Sequence, residues 1–162
     1  MLEHAASEFA ADNRHTQDTI SFVTFEVAGQ MFGVPVTKVQ DILTPDAIAP
    51  VPGGPAEVKG LINLRGRIVT VIDLRTRLGL KQNAEKANDR GMCVTVENEG
   101  ESYTLLVDRV GDVVTLLASL REDNPATLDL LWRDVTNGVF RTGDRLLVIL
   151  DVERLLAIRS KS

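Results

Sequence analysis

The chain contains a version of itself, and no other feature of the sequence restricts its fold so strongly. Residues 22–43 align with 93–114 at an offset of 71, without a gap. Val23-Thr24 falls on Val94-Thr95, Glu26 on Glu97, Gly29 on Gly100 and Phe32 on Tyr103. Val36, Lys38, Val39 and Asp41 fall on Val107, Arg109, Val110 and Asp112. A second block, 59–80 on 137–158, runs at offset 78 and matches Gly60 with Gly138, Arg67 with Arg145, Asp73 with Asp151 and Leu78 with Leu156. The difference of seven residues is one longer connection, 115–136 standing where 44–58 stands in the first copy. A period near 70 is too long for a solenoid. The pattern therefore means two similar small modules. Two related but unequal modules have two end faces and a groove between them, which suits a connector better than a single-pocket enzyme.

Within each copy the local signals are those of short strands. Phe22 to Val27 ends at the turn Ala28-Gly29-Gln30, and Met31 to Val36 returns, with Pro35 expected at an edge or bulge because it lacks an N–H. Val39 to Leu43 is a further short strand, and the segment Ala49 to Pro55 is too rich in proline and glycine for regular structure. Lys59 to Leu64 and Arg67 to Ile72 flank a turn at Arg65-Gly66. Asp73 then caps one or two helical turns, with Leu74 and Leu78 on one face and Gly79 as the stop. The second copy repeats the order: strands at 92–97, 102–108 and 110–116, a long loop holding Trp132, strands near 138–141 and 145–150, and a helix capped by Asp151. Such a series indicates paired small antiparallel barrels, closed so that no sheet edge is exposed. Several strands are apolar on both faces (Leu61-Ile62, Ile68-Val69, Val71-Ile72, Leu105 to Val107, Leu146 to Leu150); much of that surface should be the seam between modules, and any remainder a binding surface.

The bulk numbers restrict function. A chain of 162 residues can bury roughly 68–70% of its unfolded surface, whereas one 70-residue barrel alone is marginal, so the copies should pack together. A net charge of −5 argues against nucleic acid, which needs a concentrated basic face. Aromatics at 4% likewise leave little for base stacking. The single cysteine, Cys93, rules out an internal disulfide and lies in an apolar alternating run, so it reads as a buried structural thiol. The first 18 residues read as a disordered polar tail that holds both histidines, His4 and His15, which removes histidine acid–base chemistry from a folded site. No signal peptide or membrane-length apolar run is present. The expectation is a soluble, cytoplasmic protein without direct membrane insertion.

No catalytic constellation emerges. Asp41 and Asp112 are pseudo-equivalent carboxylates that could share a proton as in aspartic proteases, but their surroundings lack the small-residue, hydroxyl-bearing loop such a dyad needs. Asp73 and Asp151 are explained as helix caps. No phosphate loop, zinc spacing or activated nucleophile is seen, and no cofactor or metal is expected. The Asn63-Leu64-Arg65-Gly66-Arg67 turn is ordinarily a solvated hairpin, yet apolar strands hold Arg65 on both sides and Asp41 is its obvious acidic partner. A fixed surface charge of this kind acts on orientation and specificity of binding more than on stability.

Four stretches, GVPVTKVQDIL, PVPGGPAEVKGLINLRGRIVTVIDLR, LLVDRVGDVVTL and GDRLLVILDVERLL, resemble the CheW-type chemotaxis coupling proteins, and the resemblance covers residues 20–158. It implies a mainly β fold of two intertwined, pseudo-repeated five-stranded SH3-like barrels with short helices, one of them C-terminal. The corresponding layout is a tail over 1–18 and a CheW-like domain over 19–158, with a first barrel at 19–80, a linker at 81–91 and a second barrel at 92–158; whether strands are exchanged between barrels stays open. The implied role is a non-catalytic adaptor in arrays at the membrane. It bridges the cytoplasmic tip of chemoreceptors to the regulatory domain of a chemotaxis histidine kinase. The alternative is a related adaptor for a surface-motility or developmental kinase pathway. Carried over by motif position, Val39, Asp41, Arg65, Val94 and Val113 are receptor-binding candidates, and Val51, Pro52, Lys59 and Gly60 are kinase-binding candidates. The family commonly has Glu where Asp41 stands, so the pair with Arg65 is either water-bridged or closed by a backbone shift. With no receiver domain after Ile158 and no kinase core before residue 20, the stand-alone adaptor is expected.

Overall fold

A computed structural model describes residues 18–45, 47–80 and 91–157. The proposed tail (1–18), apart from Asp18, and the linker (81–91), apart from Gly91, lie outside the described residues, as does Ile158. Ten strands are formed: β1 Thr19–Val27, β2 Gln30–Pro35, β3 Val39–Leu43, β4 Val58–Leu64, β5 Arg67–Asp73, β6 Met92–Asn98, β7 Glu101–Val107, β8 Arg109–Leu117, β9 Thr136–Thr142 and β10 Arg145–Leu150. Three four-residue helices follow the capping aspartates: α1 Leu74–Arg77, α2 Leu130–Arg133 and α3 Val152–Leu155. Asp73 Oδ1 accepts from Arg75 N–H at 3.0 Å and Asp151 Oδ1 from Arg154 N–H at 3.1 Å, the expected N-caps.

The strands form two five-stranded sheets, ordered β8-β1-β2-β10-β9 and β3-β6-β7-β5-β4. Strands are exchanged: each sheet joins the first hairpin of one repeat to the last three strands of the other. The boundary between 19–80 and 92–158 therefore describes the sequence repeat and not the two sheets. The cause lies in two connections. Only Asp108 separates β7 from β8, and only Val36–Lys38, a turn of 3-10 helix, separates β2 from β3. A one-residue link cannot make even the two-residue turn of the tightest hairpin, so β8 runs on into the other sheet and pairs antiparallel with β1. Equivalent strands pair in equivalent ways, β3 antiparallel to β6, and β10 to β2 and β5 to β7 in parallel.

Neither sheet closes into a barrel by a continuous ladder, contrary to the closed barrels expected. A single antiparallel bridge spans each gap instead: Ala49 with Leu61 in one sheet, Glu122 with Val139 in the other. The repeated glycines explain these bridges. At Gly60, φ +156°, a Cβ would overlap the carbonyl oxygen of Ala49, and at Gly138, φ +104°, it would lie 2.6 Å from that of Glu122. Only glycine lets the loop backbone reach the strand.

The two-faced apolar strands divide between the sheet interiors and the seam, except at Ile68, which stays exposed. Val69 and Val71 face the interior of one sheet with Ile62, and Phe22, Phe140, Leu147 and Ile149 fill the other. Their alternates Ile72, Leu105, Val107, Val148 and Leu150 join Val23, Phe25, Phe32, Val94 and Val96 in one core shared between the sheets. Trp132 from the long second-copy loop packs on Phe32 at 5.2 Å between ring centroids and donates Nε1–H to the Leu78 carbonyl at 3.0 Å, so the insertion locks onto the shared core.

Candidate functional site

The β4–β5 hairpin turns through Arg65 and Gly66 with φ of +53° and +87°, the two left-handed residues of a type I′ turn. Asn63 Oδ1 accepts the Gly66 N–H at 2.8 Å and fixes that turn. A non-glycine residue in the left-handed region is uncommon, and here it aims Arg65 at the facing sheet edge. Arg65 Nη1 lies 2.9 Å from Asp41 Oδ2 on β3, so the pair forms directly, without a bridging water. Asp41 Oδ1 accepts from the Ile42 N–H at 2.9 Å. Both carboxylate oxygens are thus engaged, while the Arg65 side chain stays 77% exposed. β3 and β4 are the two edges of their sheet. The ion pair therefore clips the open side of the sheet and presents a charge held in place.

Of the two carboxylates considered as a dyad, Asp41 has both oxygens engaged by Arg65 and the Ile42 N–H, and Asp112 lies on β8 in the other sheet. Among the described residues no cluster of three or more His, Cys, Asp or Glu is placed to hold a metal.

The remaining candidates separate by strand position. Val39 is half-buried against the shared core at the seam, and its repeat equivalent Val110 sits likewise. Val113 is 59% exposed on β8, the edge of the other sheet. Val94 is a correction: it is wholly buried in the shared core, on an interior strand between β3 and β7, and has no surface to offer a partner. Gly60 is a second correction, since it is buried and serves the Ala49–Leu61 bridge rather than the surface. That bridge sets Val51 and Pro52 at the same end of the sheet as Lys59, and all three are exposed. Beside the ion pair two apolar residues are exposed, Ile68 from the two-faced strands named in the sequence and Ile42, which the sequence reading did not single out. Ile42 adjoins Asp41, and Ile68, 66% exposed, follows Arg67 in the Arg65 hairpin. Ile42 is the repeat equivalent of exposed Val113, a signal available in the alignment.

The fold is a mainly β protein of two five-stranded, SH3-like sheets. Comparison with known proteins supplies the family. The CheW-like domain model matches residues 21–160. A chemotaxis protein CheW of Klebsiella aerogenes is 32% identical over 137 residues, 84% of this chain and 81% of the relative. The CheW of Treponema pallidum is 25% identical over 158 residues, 96% of this chain and 91% of its own. The crystal structure of a scaffolding CheW from Thermoanaerobacter tengcongensis superposes with a TM-score of 0.76 at 28% identity, covering 88% of this chain and 95% of that one. The chain belongs to the CheW-like family.

Proposed function

We propose that the chain is a non-catalytic chemotaxis adaptor that couples chemoreceptors to a histidine kinase and uses the Asp41–Arg65 face for the receptor. The observation that carries this reading is the ion pair itself: an arginine 77% exposed, held in a left-handed turn and clipped to the opposite sheet edge. Exposed Ile42 and Ile68 beside it supply apolar contact, and Val39 and Val113 extend the surface onto the seam and the other sheet. A helical hairpin at the cytoplasmic tip of a receptor fits such a face through apolar anchors and one charged contact. Val51, Pro52 and Lys59, grouped at one sheet end, form a separate surface for the regulatory domain of the kinase. Two separate surfaces are what an adaptor needs if both partners are to bind at once. The protein acts in the cytoplasm, recruited to membrane arrays by its partners. No helix among the described residues is long and apolar enough to cross a membrane.

The test is co-sedimentation with receptor-containing membranes and the kinase, wild type beside Arg65→Ala. An exposed pair adds only about 0–1 kcal/mol to stability, so the variant should stay folded. Receptor binding should weaken about tenfold, equivalent to about 1.4 kcal/mol, with kinase binding retained. Undiminished receptor recruitment by folded Arg65→Ala would remove this face from the receptor contact. Failure to bind either partner would remove the adaptor role.

A further inference from the structure

Among the described residues the chain passes between the two sheets twice, at Val36–Lys38 and at Asp108. The repeat makes these passages equivalents, with Thr37 standing where Asp108 stands. They are fastened very differently. The Asp108 carboxylate accepts from Arg75 Nε at 3.1 Å, from Arg75 Nη2 at 2.7 Å and from the Ala28 N–H at 2.8 Å. Its own backbone N–H donates to the Glu26 carbonyl at 3.0 Å. A forked guanidinium–carboxylate pair is among the strong hydrogen-bonded contacts, and the Arg75 side chain is only 14% exposed. The bond to Asp108 raises the pKa of Arg75 above its ordinary value, against the opposing effect of burial.

Arg75 stands on α1, which continues β5 of one sheet, while Ala28 belongs to the β1–β2 turn of the other. One carboxylate thus ties both sheets to the crossover. The same helix is fastened twice more. Arg77 donates to the carbonyls of Leu155 at 2.8 Å and Arg154 at 3.1 Å on α3, and the Leu78 carbonyl receives the Trp132 Nε1–H. The repeat equivalents cannot reproduce this, because α3 carries Glu153 and Leu155 where α1 carries Arg75 and Arg77. Among the described residues, Thr37 and Lys38 make no side-chain hydrogen bond or ion pair.

We propose that α1 rivets the two sheets together at the Asp108 crossover and leaves Val36–Lys38 as the compliant joint at which their spacing changes. β3, with Asp41, starts directly from that joint. The inference concerns the chain's own mechanics and holds whichever partner it serves.

Amide hydrogen exchange on the full-length chain tests it, because β3 and β8 are both edge strands with one neighbour each and so compare fairly. In the wild type, amides over 39–43 should exchange at least about tenfold faster than their edge-strand equivalents over 110–114. Arg75→Ala, and separately Asp108→Asn, which keeps an acceptor for the Ala28 N–H, should speed exchange over 110–114 and largely erase that difference. Equal exchange in the two edge strands in the wild type would overturn the proposal. So would variants that leave 110–114 unchanged, or that speed every segment alike, because the pair would then contribute only general stability.

Discussion

Gly60→Ala gives the sharpest test of how the sheets are closed. The added Cβ would overlap the carbonyl oxygen of Ala49 and lie 2.8 Å from Ile48 Cγ2. Both obstacles belong to the loop, so relief means moving Ile48 and Ala49 off β4. That movement breaks the two bonds of the bridge, Ala49 N–H to Leu61 O at 2.9 Å and Leu61 N–H to Ala49 O at 2.8 Å. At about 1 kcal/mol net for each bond, the loss is about 2 kcal/mol. A side chain held at a φ reserved for glycine adds about 1 kcal/mol more. The expected destabilisation is therefore about 3 kcal/mol, or a fall in Tm of about 6–12 °C for a domain of this size. Gly138→Ala, facing the Glu122 carbonyl, should cost a similar amount. Gly29→Ala and Gly100→Ala are the controls. Their φ values are +81° and +83° with nothing within 4 Å of the new Cβ, so they should pay only the left-handed backbone penalty of about 1 kcal/mol. Urea unfolding followed by the fluorescence of Trp132, the single tryptophan, which packs on Phe32, reads all four variants. If Gly60→Ala and Gly138→Ala cost no more than the turn controls, the bridges do not hold the sheets closed and the account fails. The same variant informs the surface proposed for the kinase. Loss of kinase binding in Gly60→Ala should track loss of folded protein, whereas exposed Lys59→Ala should affect binding with the fold intact.

Burial pushes the Cys93 thiol up to about 11 from an ordinary value of 9.0, so between those limits the unfolded chain loses a proton that the folded chain keeps. Stability should therefore be insensitive to this group below pH about 9 and fall by about 1.4 kcal/mol per pH unit above it. Urea titrations at pH 8.5 and 10.5 should give a steeper loss for wild type than for Cys93→Ala, and parallel losses would contradict the assignment. A second expectation follows from the exchanged strands. A protease site inserted between Leu80 and Gly91 should, after cutting, leave one species in native gel filtration and two fragments only in denaturant, because each sheet contains strands from both fragments. Fragments that separate without denaturant would mean that each half satisfies its own sheets.

The strand order within each repeat, the turns at Ala28-Gly29 and Arg65-Gly66, and the caps at Asp73 and Asp151 were legible because each depends on residues close in sequence. The exchange between sheets is a long-range choice, and strand periodicity reads the same whichever hairpin a strand joins. One local signal did exist. Val107-Asp108-Arg109 has no room for a turn, which forbids β8 from folding back on β7. Val94 shows the limit for sites. On an interior strand both faces are buried, so a valine at the matched position is core, whereas Val113 on an edge strand is open. Position within the sheet decides between them, and no motif carries that information. The direct Asp41–Arg65 contact was likewise legible only as a pairing of types. Its geometry depends on the left-handed turn that brings the guanidinium across the gap.

What the two repeats share and where they differ separates scaffold from site. Gly60 and Gly138, Asp73 and Asp151, Leu78 and Leu156 recur, and each has the same structural duty in both copies: bridging glycine, helix cap, core leucine. Residues that recur for that reason say nothing of partners. Asp41 recurs as Asp112, but the position of Arg65 is taken by Gly143, and the gap of the second sheet is spanned instead by Arg141 of β9, whose Nε lies 3.0 Å from Glu122 Oε2. Arg75 and Asp108 likewise become Glu153 and Thr37. Both unmatched ion pairs join segments that the backbone leaves apart, one across a sheet edge and the other across the seam. A fold built from two equal modules would offer the same face twice. The two gaps are instead spanned by different pairs, Asp41–Arg65 and Glu122–Arg141, so the sheets present different edges, and an adaptor needs distinct faces to keep two different partners from competing for one surface.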